Sequence, residues 1–101
     1  MEIKIKTIHF DAGEKLQDYV QKKIGKLEKF STDIRKVEVS LKVTKPETAM
    51  NKEASLTVAL PGDNLFVEKI ADTFEEAVDL CVDSLTRQLE KYKDKQRNSK
   101  K

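Results

Sequence analysis

Thr73 to Lys95 reads TFEEAVDLCVDSLTRQLEKYKDK, and this stretch sets the architecture of the whole chain. Its apolar positions, Phe74, Ala77, Val78, Cys81, Val82, Leu85, Leu89 and Tyr92, recur at spacings of three and four. That spacing predicts one long amphipathic helix with a single apolar stripe laid on a core. A second row, Glu75, Asp79, Asp83, Arg87, Lys91 and Lys95, is spaced by four and forms a ridge that starts acidic and ends basic. Arg87, Lys91 and Lys95 stack like charges at i,i+4, which costs about 0.2–0.5 kcal/mol per pair. Two causes can offset that cost. The helix dipole favours cations near the C-terminus by about 0.3–1 kcal/mol each, mainly within the last turn. A polyanionic partner would favour all three. The ridge alone leaves both open.

Upstream, Glu2 to Ile8 alternates Ile3 and Ile5 with Lys4 and Lys6, the period of a half-buried strand ended by His9 and Phe10. Asp11, with Glu14 three residues on, predicts a capped helix from Ala12 to Lys29. Leu16, Tyr19, Val20, Ile24 and Leu27 form its stripe. Lys15, Lys22, Lys26 and Lys29 fall within an arc of about 60° at 100° per residue, and Lys23 lies nearer the core boundary. A solvated lysine face accounts for this arc as well as a binding face does.

Ser31-Thr32-Asp33 predicts a turn. Ile34 to Val43 predicts a strand with Val37, Val39, Leu41 and Val43 inward, and a polar loop around Pro46 follows. Lys52 to Leu60 predicts a strand with Ala54, Leu56, Val58 and Leu60 inward. Pro61-Gly62-Asp63-Asn64 is turn chemistry between antiparallel strands. Leu65 to Ala71 is the last strand, and its alternation is imperfect. Either Phe66 and Ile70 sit on the open face of the sheet, or the strand bends early. Asp72 or Thr73 caps the final helix. The order β-α-β-β-β-α, with clean alternation in the middle strands, predicts an α+β domain of two layers: a four-stranded sheet with two helices packed on one face. The expected organisation is one domain over residues 1–95 and a short, frayed basic tail over 96–101.

Charge is distributed unevenly. Residues 1–45 hold 11 Lys/Arg and 7 Asp/Glu, a net +4; residues 46–83 hold 2 and 9, a net −7; residues 84–101 hold 7 and 2, a net +5. If the two helices lie side by side, their basic surfaces merge into one patch on a chain whose overall charge is only +2. No apolar run is long enough to span a bilayer, no secretory signal pattern is present, and a single cysteine fits a reducing cytoplasm.

Catalytic and metal chemistry find little support. His9 is the one histidine and has no identifiable partner. Cys81 lies on the apolar stripe, where a thiol is inert. Glu75, Asp79 and Asp83 converge poorly on a cation from a single helix face and suit a helix start. Pro61-Gly62 lacks the glycine spacing and the lysine of a phosphate loop. The sequence therefore implies no catalytic residue, no metal, no cofactor and no small-molecule substrate. Basic ridges on two helices suit a phosphate backbone, and without an aromatic strand motif the expected mode is recognition of RNA backbone and shape.

The chain resembles the bacterial ribosome hibernation promoting factor family, also called ribosome-associated inhibitor or sigma-54 modulation proteins. The resemblance rests on Ala77-Val78-Asp79, Val82-Asp83, Leu85, Arg87-Gln88-Leu89 and Lys91-Tyr92-Lys93-Asp94-Lys95, with Lys23 and Lys26-Leu27-Glu28 in the first helix. It implies a fold similar to double-stranded-RNA-binding domains with an added first strand. It implies a translation inhibitor that occupies the A and P sites of the small ribosomal subunit and excludes messenger and transfer RNA during stasis; the expected location is the cytoplasm, and the expected free state is a monomer. Carried over by residue, Lys23, Lys26, Arg87, Gln88, Lys91, Lys93 and Lys95 would contact ribosomal RNA, with Lys22 and Lys29 on the same side. Where many members carry tyrosine, this chain has Glu75. The chain resembles the short form, without the second domain of long members. Two other readings remain beside this one: a domain for another structured RNA, and a protein-interaction module that uses the open sheet face.

Overall fold

In a computed structural model, the chain is described over residues 1–8, 10–29, 33–44 and 49–99, with side chains to residue 94. His9, the Ser31-Thr32 part of the expected turn, the loop at Pro46 and the side chain of Lys95 lie outside the described residues. The elements are β1 (Glu2–Ile8), α1 (Glu14–Gly25), a 3₁₀ turn (Lys26–Lys29), β2 (Lys36–Val43), β3 (Lys52–Leu60), β4 (Asp63–Ala71) and α2 (Phe74–Ser99). The sheet order is β1-β2-β3-β4. β1 runs parallel to β2, and the other neighbours are antiparallel. A parallel pair needs a crossover, and α1 supplies it.

The inward residues of β2 and β3 are the ones the alternation marks: Val37, Val39, Leu41, Ala54, Leu56 and Val58 are all buried. The helices meet them with Val20, Ile24 and Leu27 from the first and Ala77, Val78, Cys81, Leu85 and Leu89 from the second. Each fully buried leucine contributes about 1.5–3 kcal/mol relative to exposure. Phe10, just ahead of α1, stacks on Phe74 at the start of α2, with ring centroids 4.5 Å apart and planes 13° from parallel.

The uncovered face carries cross-strand rows. Lys4, Glu38, Thr57 and Phe66 form one, and Lys6, Ser40, Ser55 and Glu68 the next. β4 is a continuous strand, so the open-face alternative holds: Phe66 is 59% exposed and Ile70 41%.

Several boundaries differ from expectation. Asp11 does not cap the first helix. Gly13 occupies the cap position without a side-chain bond, Gln17 N donates to its carbonyl at 3.1 Å, and Gln17 Nε2 donates to Ala12 O at 3.0 Å. The α-helical part of that element ends at Gly25 and tightens to 3₁₀ geometry, so the 100° phase used to place Lys29 no longer applies. At about 3.0 residues per turn Lys29 stands over Lys26 instead. Pairing in β2 begins at Lys36, after Ile34, and Asp63 and Asn64 belong to β4 because the turn needs only Pro61 and Gly62. Gly62 takes φ 75°, the left-handed region that favours glycine. Thr73, not Asp72, caps α2: its Oγ1 accepts from Glu76 N at 3.1 Å, while Asp72 accepts from Met50 N at 2.7 Å. The helix continues to Ser99, a turn beyond the expected end at Lys95. At about 1.5 Å per residue, its length exceeds that of any strand in the sheet.

Candidate nucleic-acid interface

Because Val20 and Ile24 are driven into the core, Tyr19 and Lys23 are left on the rim of α1 that faces α2. They stand one turn apart on the same side. On α2, the core phase set by Val78 and Cys81 leaves Asp79 on the matching rim. Tyr19 Oη donates to Asp79 Oδ1 at 2.8 Å. Lys23 Nζ lies 3.3 Å from the same oxygen and 5.8 Å from the Tyr19 ring centroid. Burial, then the hydrogen bond to Asp79, then the charges of Asp79 and Glu75 push the Tyr19 phenol up to about 12, so it remains a donor. The acidic start of the α2 ridge, read from the sequence as suited to a helix start, is thus in part a clamp between helices.

Further along the same seam, Lys23, Lys26, Val82, Asp83, Thr86 and Arg87 line one open cleft. Thr86 Oγ1 donates to Val82 O at 2.9 Å, which commits its proton to the helix backbone. Three cations, from α1, the 3₁₀ turn and α2, therefore line a cleft that holds one carboxylate, Asp83. Lysine offers a compact charge and arginine a planar fork, a donor set that suits phosphate oxygens. Asp83 adds an acceptor, and a ribose hydroxyl or base amine can donate to it.

The other residues read from the sequence are distributed around this cleft. Gln88 and Lys91 line a separate depression with Asp63, Leu65 and Tyr92, on the flank of α2 beside the start of β4. Lys22, Lys29 and Lys93 are exposed. So Lys23, Lys26 and Arg87 line one cleft and Gln88 and Lys91 line another, with Lys91 one turn along α2 from Arg87. Sequence reasoning missed Asp79 and Tyr19 as partners, and Asp83 and Thr86 as part of the lining. A polar-tipped tyrosine at a stripe edge was the available signal, but nothing in the sequence gives the register between the helices.

Cys81 is fully buried, and its Sγ donates to Ala54 O at 3.3 Å. Burial pushes the thiol up to about 12, which suppresses the thiolate needed for nucleophilic chemistry. Among the described residues no group of three His, Cys, Asp or Glu could hold a metal ion, and no helix is long and apolar enough to cross a membrane.

The fold and sequence have relatives. The family described as "Sigma 54 modulation protein / S30EA ribosomal protein" matches residues 3–97. A ribosome hibernation promoting factor of Pseudomonas putida is 30% identical over 98 residues, covering 97% of this chain and 92% of the relative. Among solved structures, a ribosomal subunit interface protein from Coxiella burnetii is similar at TM-score 0.80 and 25% identity, covering 93% of this chain and 99% of that one. The N-terminal domain of Protein Y from Thermus thermophilus is similar at TM-score 0.78 and 27% identity, covering 91% and 99%.

Proposed function

The chain belongs to the sigma 54 modulation protein / S30EA ribosomal protein family, and on that premise we propose that it is a ribosome hibernation factor working in the cytoplasm. It binds the small ribosomal subunit through ribosomal RNA, occupies the decoding channel across the A and P sites, and excludes messenger and transfer RNA. It acts by occupancy and has no catalytic step. The observation that carries this reading is the cleft in which Lys23, Lys26 and Arg87 meet from two helices. The names of the relatives, which speak of ribosome hibernation and of a ribosomal subunit interface, support the same partner.

The cations have distinct tasks in this reading. Lys23, Lys26 and Arg87 take backbone phosphates at the seam, while Gln88 and Lys91 reach a second stretch of RNA on the β4 flank. Lys93, exposed on α2, and Lys95 would add contacts along the RNA, as would the exposed Lys22 and Lys29. Side chains projecting from helices hold their geometry better than the same residues on loops, which favours a fixed RNA shape over a flexible strand.

The test is co-sedimentation with small subunits, with messenger and initiator transfer RNA as competitors. Binding is expected to fall with added salt, to be displaced by the competitors, and to weaken in Arg87→Glu and in Lys91→Glu. If both charge reversals sediment as the parent does, the reading fails. Equal affinity for free duplex RNA would point instead to a domain for structured RNA in general. The 59% exposure of Phe66 favours a second reading, a protein partner on the open sheet face. That reading expects binding to survive loss of the lysines and to fail in Phe66→Ser.

A further inference from the structure

Asp79 lies on the seam between the helices but outside the lining of the cation cleft. Two side chains of α1 meet on it: Tyr19 Oη donates to its Oδ1 at 2.8 Å, and Lys23 Nζ lies 3.3 Å from the same oxygen. Lys23 belongs to both arrangements. Its ammonium is held toward Asp79, its side chain is 33% exposed, and it lines the cleft with Lys26 and Arg87. A free lysine side chain would sample many rotamers in water. Here the carboxylate lies on one side of it at 3.3 Å and the Tyr19 ring on the other at 5.8 Å.

We propose that Asp79 is a positioning residue for RNA binding: through Tyr19 and Lys23 it holds the α1 wall of the cleft in place, so that Lys23, Lys26 and Arg87 meet an RNA backbone as one preformed unit. This rests on the reading that the cleft binds RNA. Its consequence has a definite sign. By charge alone, an acidic residue beside a cation cleft repels phosphate, so removing its charge should tighten binding. As a positioning residue, Asp79 does the opposite, and removing its charge weakens binding because Lys23 must then be ordered when RNA arrives.

Asp79→Asn is the discriminating variant, because the amide oxygen still accepts from Tyr19 while the attraction for Lys23 is gone. The experiment measures affinity for small ribosomal subunits in the parent, Asp79→Asn, Lys23→Ala and the double variant, with thermal midpoints recorded alongside. The expected result is a loss of about fivefold in Asp79→Asn and no further loss when the substitution is made on Lys23→Ala, the pattern of residues that act through one another. Asp79→Glu, which keeps the charge, should recover most of the affinity. A fall in thermal midpoint alone would not produce that dependence on Lys23. Should Asp79→Asn bind as tightly as the parent or tighter, or lose as much on the Lys23→Ala background as alone, the positioning role is overturned while Arg87-dependent binding stands. A parent chain that does not bind small subunits overturns the functional reading itself, and this proposal with it.

Discussion

Tyr19 sits at the edge of the α1 stripe, with its ring beside Lys23 and its hydroxyl on Asp79. The phenol titrates near 10 in an unfolded chain, and the fold raises it to about 12. The protonated form is therefore the one the fold favours, so its contribution is fully present below pH 10 and is lost as pH rises from 10 to about 12. The stability advantage of the parent over Tyr19→Phe should be constant from pH 7 to 9 and shrink through that alkaline window. Urea unfolding followed by circular dichroism at a series of pH values measures it, and an advantage that stays flat to pH 12 would contradict the assignment. At this scale the sequence was readable where one element decides the outcome. Cys81 was placed in the core and is there, because its neighbours at three and four residues fix the phase of α2. Asp79 was read only as an acid suited to a helix start because its partner lies on another helix, 60 residues away along the chain. Asp11 was read as a cap because its spacing to Glu14 fits a capping box, yet Gly13 starts the helix.

Elements were legible in proportion to the regularity of their burial. In β2 and β3 every second residue faces the helices, so the pattern and the strand coincide. α2 was legible for the same reason, apart from its last turn. The end of α1 was not: helical periodicity passes smoothly from an α to a 3₁₀ segment, because Leu27 stays buried either way. In β4 the pattern was ambiguous because an edge strand on a half-open sheet can carry apolar residues on both faces: Phe66 and Ile70 lie on the open face, Val67 and Ala71 on the core face. This contrast gives a paired prediction. Leu85 is fully buried at the middle of α2, so Leu85→Ala should cost about 2–5 kcal/mol, the range for a core truncation. Phe66→Ser changes a side chain that the core does not need and should stay within about 0.5 kcal/mol of the parent. Denaturant unfolding of the two variants compares them directly. A large loss in Phe66→Ser would mean that the open face is packed against something in solution.

For the molecule as a whole, the fold converts a nearly neutral chain into one with separated charge. The helix of the basic first segment and the helix that carries the basic last segment pack side by side. Much of the acidic middle lies elsewhere: Glu53 and Glu68 are on strands of the sheet, and Glu75 and Glu76 are at the start of α2, where they suit the helix dipole. A net charge of +2 gives little long-range attraction, so the proposed binding of RNA would rest on local neutralisation of phosphates at the seam and along α2. Local neutralisation has a countable signature: each phosphate contact releases counterions and steepens the dependence of log affinity on log salt by about 0.7–0.9. Lys26→Gln removes one exposed cation of the cleft without introducing repulsion, so it should lower affinity for small subunits and reduce that slope by about 1. Phe66→Ser, on the opposite face of the sheet, should alter neither quantity. Titrations at several salt concentrations with the parent and both variants test the division. A slope unchanged in Lys26→Gln would remove that lysine from the interface, and a slope or affinity that follows Phe66 instead would move the binding surface from the helices to the open sheet.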